Sequence, residues 1–435
     1  VDFHKLIGLV GIVVILGSAF LMSNNKKKID LRLVISGLIL QLVMAVFVLK
    51  TDIGQNIFKT VGDGISQLLE FSNQGAGFVF GPLVKKDATM IQLFGTDAGV
   101  PIFAFKVVPT IIFVSSLVSI SYYLGIMQKV VQVVARVVAV IMGASGGEAL
   151  SNAASVFVGQ VEAQLLIRPY VPAMTMSELL ASMTGSMACV SGGVLAVYIG
   201  LGIKASYLLT ASIMAAPGGL VIAKIVWPET EESKTKGKVQ VEVKKTNANL
   251  IDAAAHGASD GLRIGLNVVA MLIAFIALIA LIDAIISNSA MQLYNWGLKG
   301  TFLGLSFSHL TLSDLFGLVF SPIAFVLGVP WADAPTVGRL MGEKLTINEF
   351  VAFSHLSAMI PKDPSAPLVI SKQAELIATF ALCGFANFSS VAIQIGGIGE
   401  IAPSRRQDLA RLGIKALICG TLASYLSATL AGLLT

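Results

Sequence analysis

Long apolar runs separated by short polar stretches set the pattern of this chain. Runs of about 20 apolar residues, enough to cross a hydrocarbon core as a helix, lie near 5–23, 32–50, 102–125, 176–201, 205–227, 262–287, 374–397 and 412–434, eight in all. The alternation that builds a transmembrane β-barrel is missing. Two more stretches, 143–172 and 316–360, are apolar yet interrupted by Gly, Pro, Asn and Glu. Irregular backbone at membrane depth survives only where protein buries it or water reaches it. The span count makes each enter and leave by one face, as a re-entrant hairpin. Segments 53–72, 126–142 and 288–310 are too short or too polar to span and are predicted as interfacial helices.

Charge orients these elements. Lys26, Lys27, Lys28 and Arg32 follow the first run, and Lys129 and Arg136 follow the third. The polar stretch 228–249 follows the fifth, and Arg405, Arg406 and Arg411 precede the eighth. Alternating topology puts all four clusters on one side, which is therefore cytoplasmic, with both termini outside. The first hairpin then opens inward and the second outward. Stretch 228–249 reads as a solvated linker that recognises nothing.

Composition agrees. Charged residues are 13% and hydrophobic residues 55% of 435, against about 25% charged in soluble proteins. The net charge of +5 sits beside apolar runs, as loop charge does, and implies no nucleic-acid partner. Cys189, Cys383 and Cys419 are too scattered for a disulfide framework or a metal cluster. The first run lacks a small-residue cleavage site, which argues against a cleavable signal. The expectation is an all-α polytopic membrane protein: eight transmembrane helices, two opposed re-entrant hairpins in inverted repeats, and interfacial helices. Residues 1–142 would hold mainly scaffold spans 1–3, 143–227 the first hairpin with spans 4–5, and 228–261 the linker and an interfacial segment. Residues 262–310 would hold span 6 and an interfacial segment, and 311–435 the second hairpin with spans 7–8.

The order hairpin–span–span thus occurs twice in opposite orientation. ACVSGGVLAVYIGLG (188–202) faintly echoes GFANFSSVAIQIGGI (384–398), and aligning their Ile-Gly pairs puts Ser191 opposite Asn387. Inverted repeats with interrupted segments in matching positions point to a transporter's midplane site.

Polar residues inside these stretches are the candidate chemistry. Glu162 and Glu349 are carboxylates at membrane depth, where charge by default marks a functional pathway. Thr346 and Glu349 also have capping-box spacing, a purely structural alternative. Ser145–Glu148 and Thr175–Glu178 have it too, and there the structural reading leads. Glu162 follows Gly159 at that spacing, so capping does not explain it. Gln160 and Glu162 together offer donors and acceptors, which suits a polar heterocycle better than a bare ion. Asn387 and Ser390 share a helix face, with interhelical hydrogen bonding as the plain alternative. Arg168 should snorkel to the interface. The histidines (His4, His256, His309, His355) show no ligand spacing, and His355 reads as a satisfied interior residue. No pairing expected of an intramembrane protease is found, so the chain is not expected to be an enzyme.

GQVEAQLLIRPYVPAMTMSEL (159–179), INEFVA (347–352) and CGFANFSSVAIQIGGIGEIAPSRRQDLARLGIKAL (383–417) resemble the concentrative nucleoside transporter family, as a bacterial member. The resemblance covers nearly the whole chain except the linker. It implies a cation-coupled symporter that imports nucleosides, without a cofactor: a homotrimer in the cytoplasmic membrane whose transport domain moves past a scaffold like an elevator. It further implies that Gln160 and Glu162 read the base, and that Glu349, Asn387 and Ser390 hold the ribose. Val161 joins the base pocket, and Val194 and Phe385 are apolar walls. Two departures stand out. Val161 replaces the family's usual Thr or Ser, and Gln164 its usual Pro. The sodium site of sodium-coupled members maps to Ser155, Val158, Cys189 and Val190, with Ser155 in place of an asparagine and a thiol in place of a hydroxyl. Hard cations prefer oxygen ligands. Asn152 lies one turn from Ser155, and the coupling ion, Na⁺ or H⁺, stays open. A carrier or channel for another small polar solute is the alternative.

Overall fold

A computed structural model describes residues 3–84, 103–235, 247–296, 301–302, 305–306, 310–361 and 368–435. Five helices lead to the first hairpin: α1 (Phe3–Leu21), α2 (Leu31–Lys50), α3 (Asp52–Phe80), α4 (Phe103–Tyr123) and α5 (Ile126–Met142). The Asp30 carboxylate caps α2 by accepting from the Arg32 and Leu33 N–H groups, which fixes the turn after the lysine cluster. The first hairpin pairs α6 (Gly146–Ser155) with the short α7 (Glu162–Leu165). There follow α8 (Met176–Ala188), α9 (Gly192–Gly200), α10 (Ala205–Val226) and α11 (Leu250–Asn295). A two-residue antiparallel pair, β1 (Thr301–Phe302) with β2 (Leu305–Ser306), precedes α12 (Leu312–Val326). The second hairpin joins α13 (Ala334–Thr346) to α14 (Glu349–Met359), and α15 (Lys372–Leu382), α16 (Phe388–Ile401) and α17 (Arg406–Leu433) end the chain.

Two of the predicted spans are not continuous helices. The stretch 176–201 is α8 and α9 with extended backbone at 189–191, and 374–397 is α15 and α16 with a break at 383–387. Each second half-helix restarts at a polar N-cap residue: Ser191 opens α9 without a side-chain cap bond, and Asn387 opens α16 by accepting from the Ser390 N–H. These are the residues that the sequence echo places opposite each other. The second hairpin begins at Ala334, not near 316, because α12 is a separate helix packed along α13. The predicted sixth span extends at both ends into the 46-residue α11. Residues 236–246 of the expected linker and 297–300, 303–304 and 307–309 of the expected interfacial segment lie outside the described residues.

Burial separates two groups of helices. α10 is buried along most of its length, as are α8 and the second half of α17. The buried residues of α11 are Ala253, Gly257, Gly261, Gly265 and Ala290, while Ile273, Leu281 and Ile285 are open. Three of them are glycines four apart. A Cβ at Gly257 or Gly261 would strike α4 backbone around Ser115 and Ile112. This small-residue seam lets two helices meet backbone to backbone, as helices in lipid do, and Ser116 Oγ adds a bond to the Ala254 carbonyl at 3.0 Å. α1 runs antiparallel to α17, with Gly8 against Leu433 and Gly11 against Thr429, so the start of α1 and the end of α17 share a face.

Candidate functional site

The two helix breaks meet. The Phe385 N–H donates to the Cys189 carbonyl at 3.2 Å, and the Gly192 N–H donates to Phe157 in the first hairpin turn at 3.1 Å. Backbone groups freed by the breaks therefore find partners in each other and in the hairpin, as the interior of a membrane protein requires. Half-helix N-termini placed here bring partial positive charge to a buried location.

Glu349 occupies the first turn of α14 and is buried. Its Oε2 accepts from Asn387 Nδ2 at 2.9 Å and its Oε1 from Tyr198 Oη at 3.2 Å. The structural alternative for Glu349 is overturned. Asn348, not Thr346, caps α14, accepting from the Val351 N–H at 3.0 Å, and Thr346 Oγ1 donates back to Gly342 at the end of α13. The two other capping boxes hold: Glu148 accepts from the Ser145 N–H at 2.8 Å and Glu178 from the Thr175 N–H at 2.9 Å. Asn387 serves two purposes. Its Oδ1 caps α16 through the Ser390 N–H at 2.9 Å, which leaves its amide NH₂ aimed at Glu349. Lys344 is buried at the end of α13 and donates to the Ala381 carbonyl at 2.9 Å. There it places a cation on the negative end of the half-helix α15.

Gln160 lies on the other side of the crossing. Its Nε2 donates to Ser390 Oγ at 3.3 Å, and its Oε1 accepts from Gln394 Nε2 at 3.4 Å. Val161 packs against Gly397 and seats the hairpin tip on α16. Glu162 is exposed, its carboxylate folded back over Gly159 and within electrostatic reach of Tyr122 on α4. The structure thus joins Gln160 to Ser390 and Glu349 to Asn387, while Glu162 stands apart. Val194 and Phe385 are half-buried beside the crossing. Tyr198, Lys344 and Gln394 escaped the sequence reading. Only Gln394 carried a signal, four residues after Ser390 on one helix face.

Ser155 donates to the Ser151 carbonyl at 2.8 Å and pairs with Ser186 Oγ at 3.0 Å. The Cys189 thiol faces the Ser212 carbonyl at 3.8 Å. Val158 and Val190 are buried nearby. Asn152 Nδ2 is held by the Glu148 and Ala181 carbonyls. An engaged serine hydroxyl and a soft thiol are poor side-chain ligands for Na⁺, whereas Asn152 Oδ1, buried without a partner among the described residues, is a hard oxygen beside them. Gln164, fully buried, explains its own presence. Its Nε2 donates to Ser151 Oγ at 3.0 Å and Ser186 Oγ at 2.7 Å, and its Oε1 accepts from Ser182 Oγ at 2.6 Å. It fastens the hairpin to α8.

Two expectations outside the site need correction. The described start of the linker is docked, not solvated. Buried Lys224 pairs with Glu148 at 2.7 Å and Glu229 at 3.4 Å, and Thr235 Oγ1 donates to Glu178 at 2.6 Å. The capping carboxylates of α6 and α8, Glu148 and Glu178, supplied partners that linker polarity alone could not reveal. His355 is half exposed, and its ring bonds Glu343 at 2.8 Å across the limbs of the second hairpin.

Broken helices crossing between two hairpins, with amides and a buried carboxylate gathered at the crossing, define a membrane carrier for a polar organic solute. Comparisons with known proteins agree. Residues 10–83 and 207–432 match the N-terminal and C-terminal models of Na⁺-dependent nucleoside transporters, and 104–205 match a model described as nucleoside recognition. The chain belongs to the Na⁺-dependent nucleoside transporter family and is a transporter, not an enzyme. It is 45% identical to YutK, an uncharacterized transporter of Bacillus subtilis, over 98% of each chain. The nucleoside permease NupC of Helicobacter pylori is 38% identical, over 99% of this chain and 98% of that one. The structure of CNTnw in an inward-facing substrate-bound state superposes with a TM-score of 0.90 at 41% identity, covering 99% of this chain and 98% of that one.

Proposed function

We propose that this protein is a proton-driven symporter that carries nucleosides into the cell across the cytoplasmic membrane. The observation that carries the substrate reading is Glu349. Each carboxylate oxygen holds one protein donor, Tyr198 or Asn387, and each retains a second acceptor position. A carboxylate so placed can accept from two adjacent ribose hydroxyls, with Asn387 and Ser390 beside it. Gln160 reads the base, Glu162 comes to the base from the hairpin tip, and Val194 and Phe385 form apolar walls. Val161 contributes by seating that tip on α16.

Proton drive is favoured over sodium by Ser155 and Cys189, an engaged hydroxyl and a soft thiol where two oxygen ligands are expected; the carbonyl oxygens of Val158 and Val190, the unpartnered Asn152 Oδ1 and the family's name speak for sodium. A homotrimer with both termini outside, whose transport domain moves as an elevator past a scaffold containing α4 and α11, suits the exposed apolar faces of α11 and its glycine seam. The test is accumulation of radiolabelled uridine or adenosine in proteoliposomes under an imposed H⁺ or Na⁺ gradient. Uptake should follow the proton gradient and collapse with a protonophore. Uptake that rises with Na⁺ at constant pH and ignores the protonophore refutes proton drive. Flux down a gradient without accumulation would indicate a channel, and accumulation of a different small polar solute would refute the nucleoside reading.

A further inference from the structure

We infer that Gln394 is a specificity-determining residue: it fixes the amide orientation of Gln160 and thereby sets which base edges the site accepts. The inference rests on the nucleoside reading above. Gln394 is fully buried, one turn beyond Ser390 on α16. Its Nε2 donates to the Met183 carbonyl at 3.2 Å and to Gln160 Oε1 at 3.4 Å. A backbone carbonyl cannot donate, so turning the Gln394 amide over would set oxygen against oxygen. Met183 therefore fixes Gln394, and Gln394 in turn holds the carbonyl end of Gln160. The NH₂ end of Gln160 points to Ser390 Oγ at 3.3 Å.

The order is directional. It runs from a backbone oxygen through two amides to a hydroxyl, and it leaves Gln160 one free N–H to present. A free glutamine side chain could turn over and meet either a donor or an acceptor on the base. The tethered one keeps its free N–H on the Ser390 side and its remaining carbonyl lone pair on the Gln394 side, so a base edge that exchanges donor and acceptor loses a bond. The Oε1 of Gln394 itself has no hydrogen-bond partner among the described residues. Gln394 is thus a positioning residue that acts through Gln160.

Keto and amino nucleosides exchange donors and acceptors along one base edge, so uridine against cytidine and inosine against adenosine test the orientation directly. Affinities should be measured by competition against one labelled nucleoside, using purified full-length protein, for wild type, Gln394→Met and Gln394→Glu. Both replacements are close in size, and neither can give two N–H groups. Wild type should prefer one member of at least one pair. Both variants should cut that preference about fivefold, as expected for one hydrogen bond. The ratio of uridine to 2′-deoxyuridine, which reports the ribose side, should stay within about twofold of wild type. Four results overturn the inference: no preference in either wild-type pair, an unchanged preference in the variants, parallel loss of base and ribose ratios, or failure of both variants to fold. If wild type binds no nucleoside at all, the substrate reading has failed instead.

Discussion

Replacing Tyr198 by Phe removes one oxygen from the most buried part of the site and little else. The ring stays stacked on Phe353, 4.3 Å between centroids, and tilted against Phe350 at 5.8 Å. What disappears is the donor 3.2 Å from Glu349 Oε1. A hydrogen bond to a charged group contributes about 1.5–3 kcal/mol, and the length of this one sets it at the lower end. A loss of about 1.5 kcal/mol corresponds to roughly tenfold weaker binding. It should fall on nucleosides, because Tyr198 orients the carboxylate assigned to the ribose hydroxyls. Equilibrium binding of uridine to purified protein, by calorimetry or scintillation proximity, reads the effect. The same change in a Glu349→Gln background should cost less than about threefold, since partners in one network do not add. Full additivity would mean that Tyr198 acts without Glu349, and a Kd within twofold of wild type would mean that its hydroxyl does not support the site.

Three other outcomes are expected. Glu349→Gln should weaken uridine binding about 10- to 100-fold, with much less effect on a free nucleobase; equal losses in competition assays would return Glu349 to a structural role. Lys224→Met strands the buried Glu148 carboxylate and should lower stability by about 3–5 kcal/mol, with the melting temperature of the purified protein largely restored by a second change, Glu148→Gln. Gln164→Met leaves the hydroxyls of Ser151, Ser182 and Ser186 without their shared partner and should cost about 2–3 kcal/mol, while base ranking in competition assays remains that of wild type.

The helical membrane fold was readable because lipid imposes length: runs of about 20 apolar residues admit few meanings. The hairpins were readable for the converse reason, since Gly, Pro, Asn and Glu in apolar surroundings need a buried or wet place. The breaks at 189–191 and 383–387 were not. Their residues are small or apolar enough to continue a helix, and only the echo between Ser191 and Asn387 marked the positions where α9 and α16 restart. Glu349, Asn387, Gln160 and Ser390 stood out as polar groups in apolar sequence, and the structure pairs them. Tyr198 could not be found that way. Its partner is 151 residues distant, and a tyrosine in an apolar run looks like ordinary packing. Lys344 was hidden by its neighbour Glu343, which made the pair look solvated, although the fold buries both.

The contacts at the helix crossing also bear on leakage. Gln160 belongs to the first hairpin and is held by α16, while Glu349 belongs to the second and is held by α16's cap and by α9. The groups assigned to the solute therefore also tie each hairpin to the body of the protein. Opening either gate separates those pairs and leaves a buried amide or carboxylate seeking a partner, which disfavours opening in the absence of solute or water to replace it. In the proposed function, recognition and closure share the same side chains. A substitution that relaxes substrate choice should accordingly loosen a gate as well, and show itself as ion slippage without cargo.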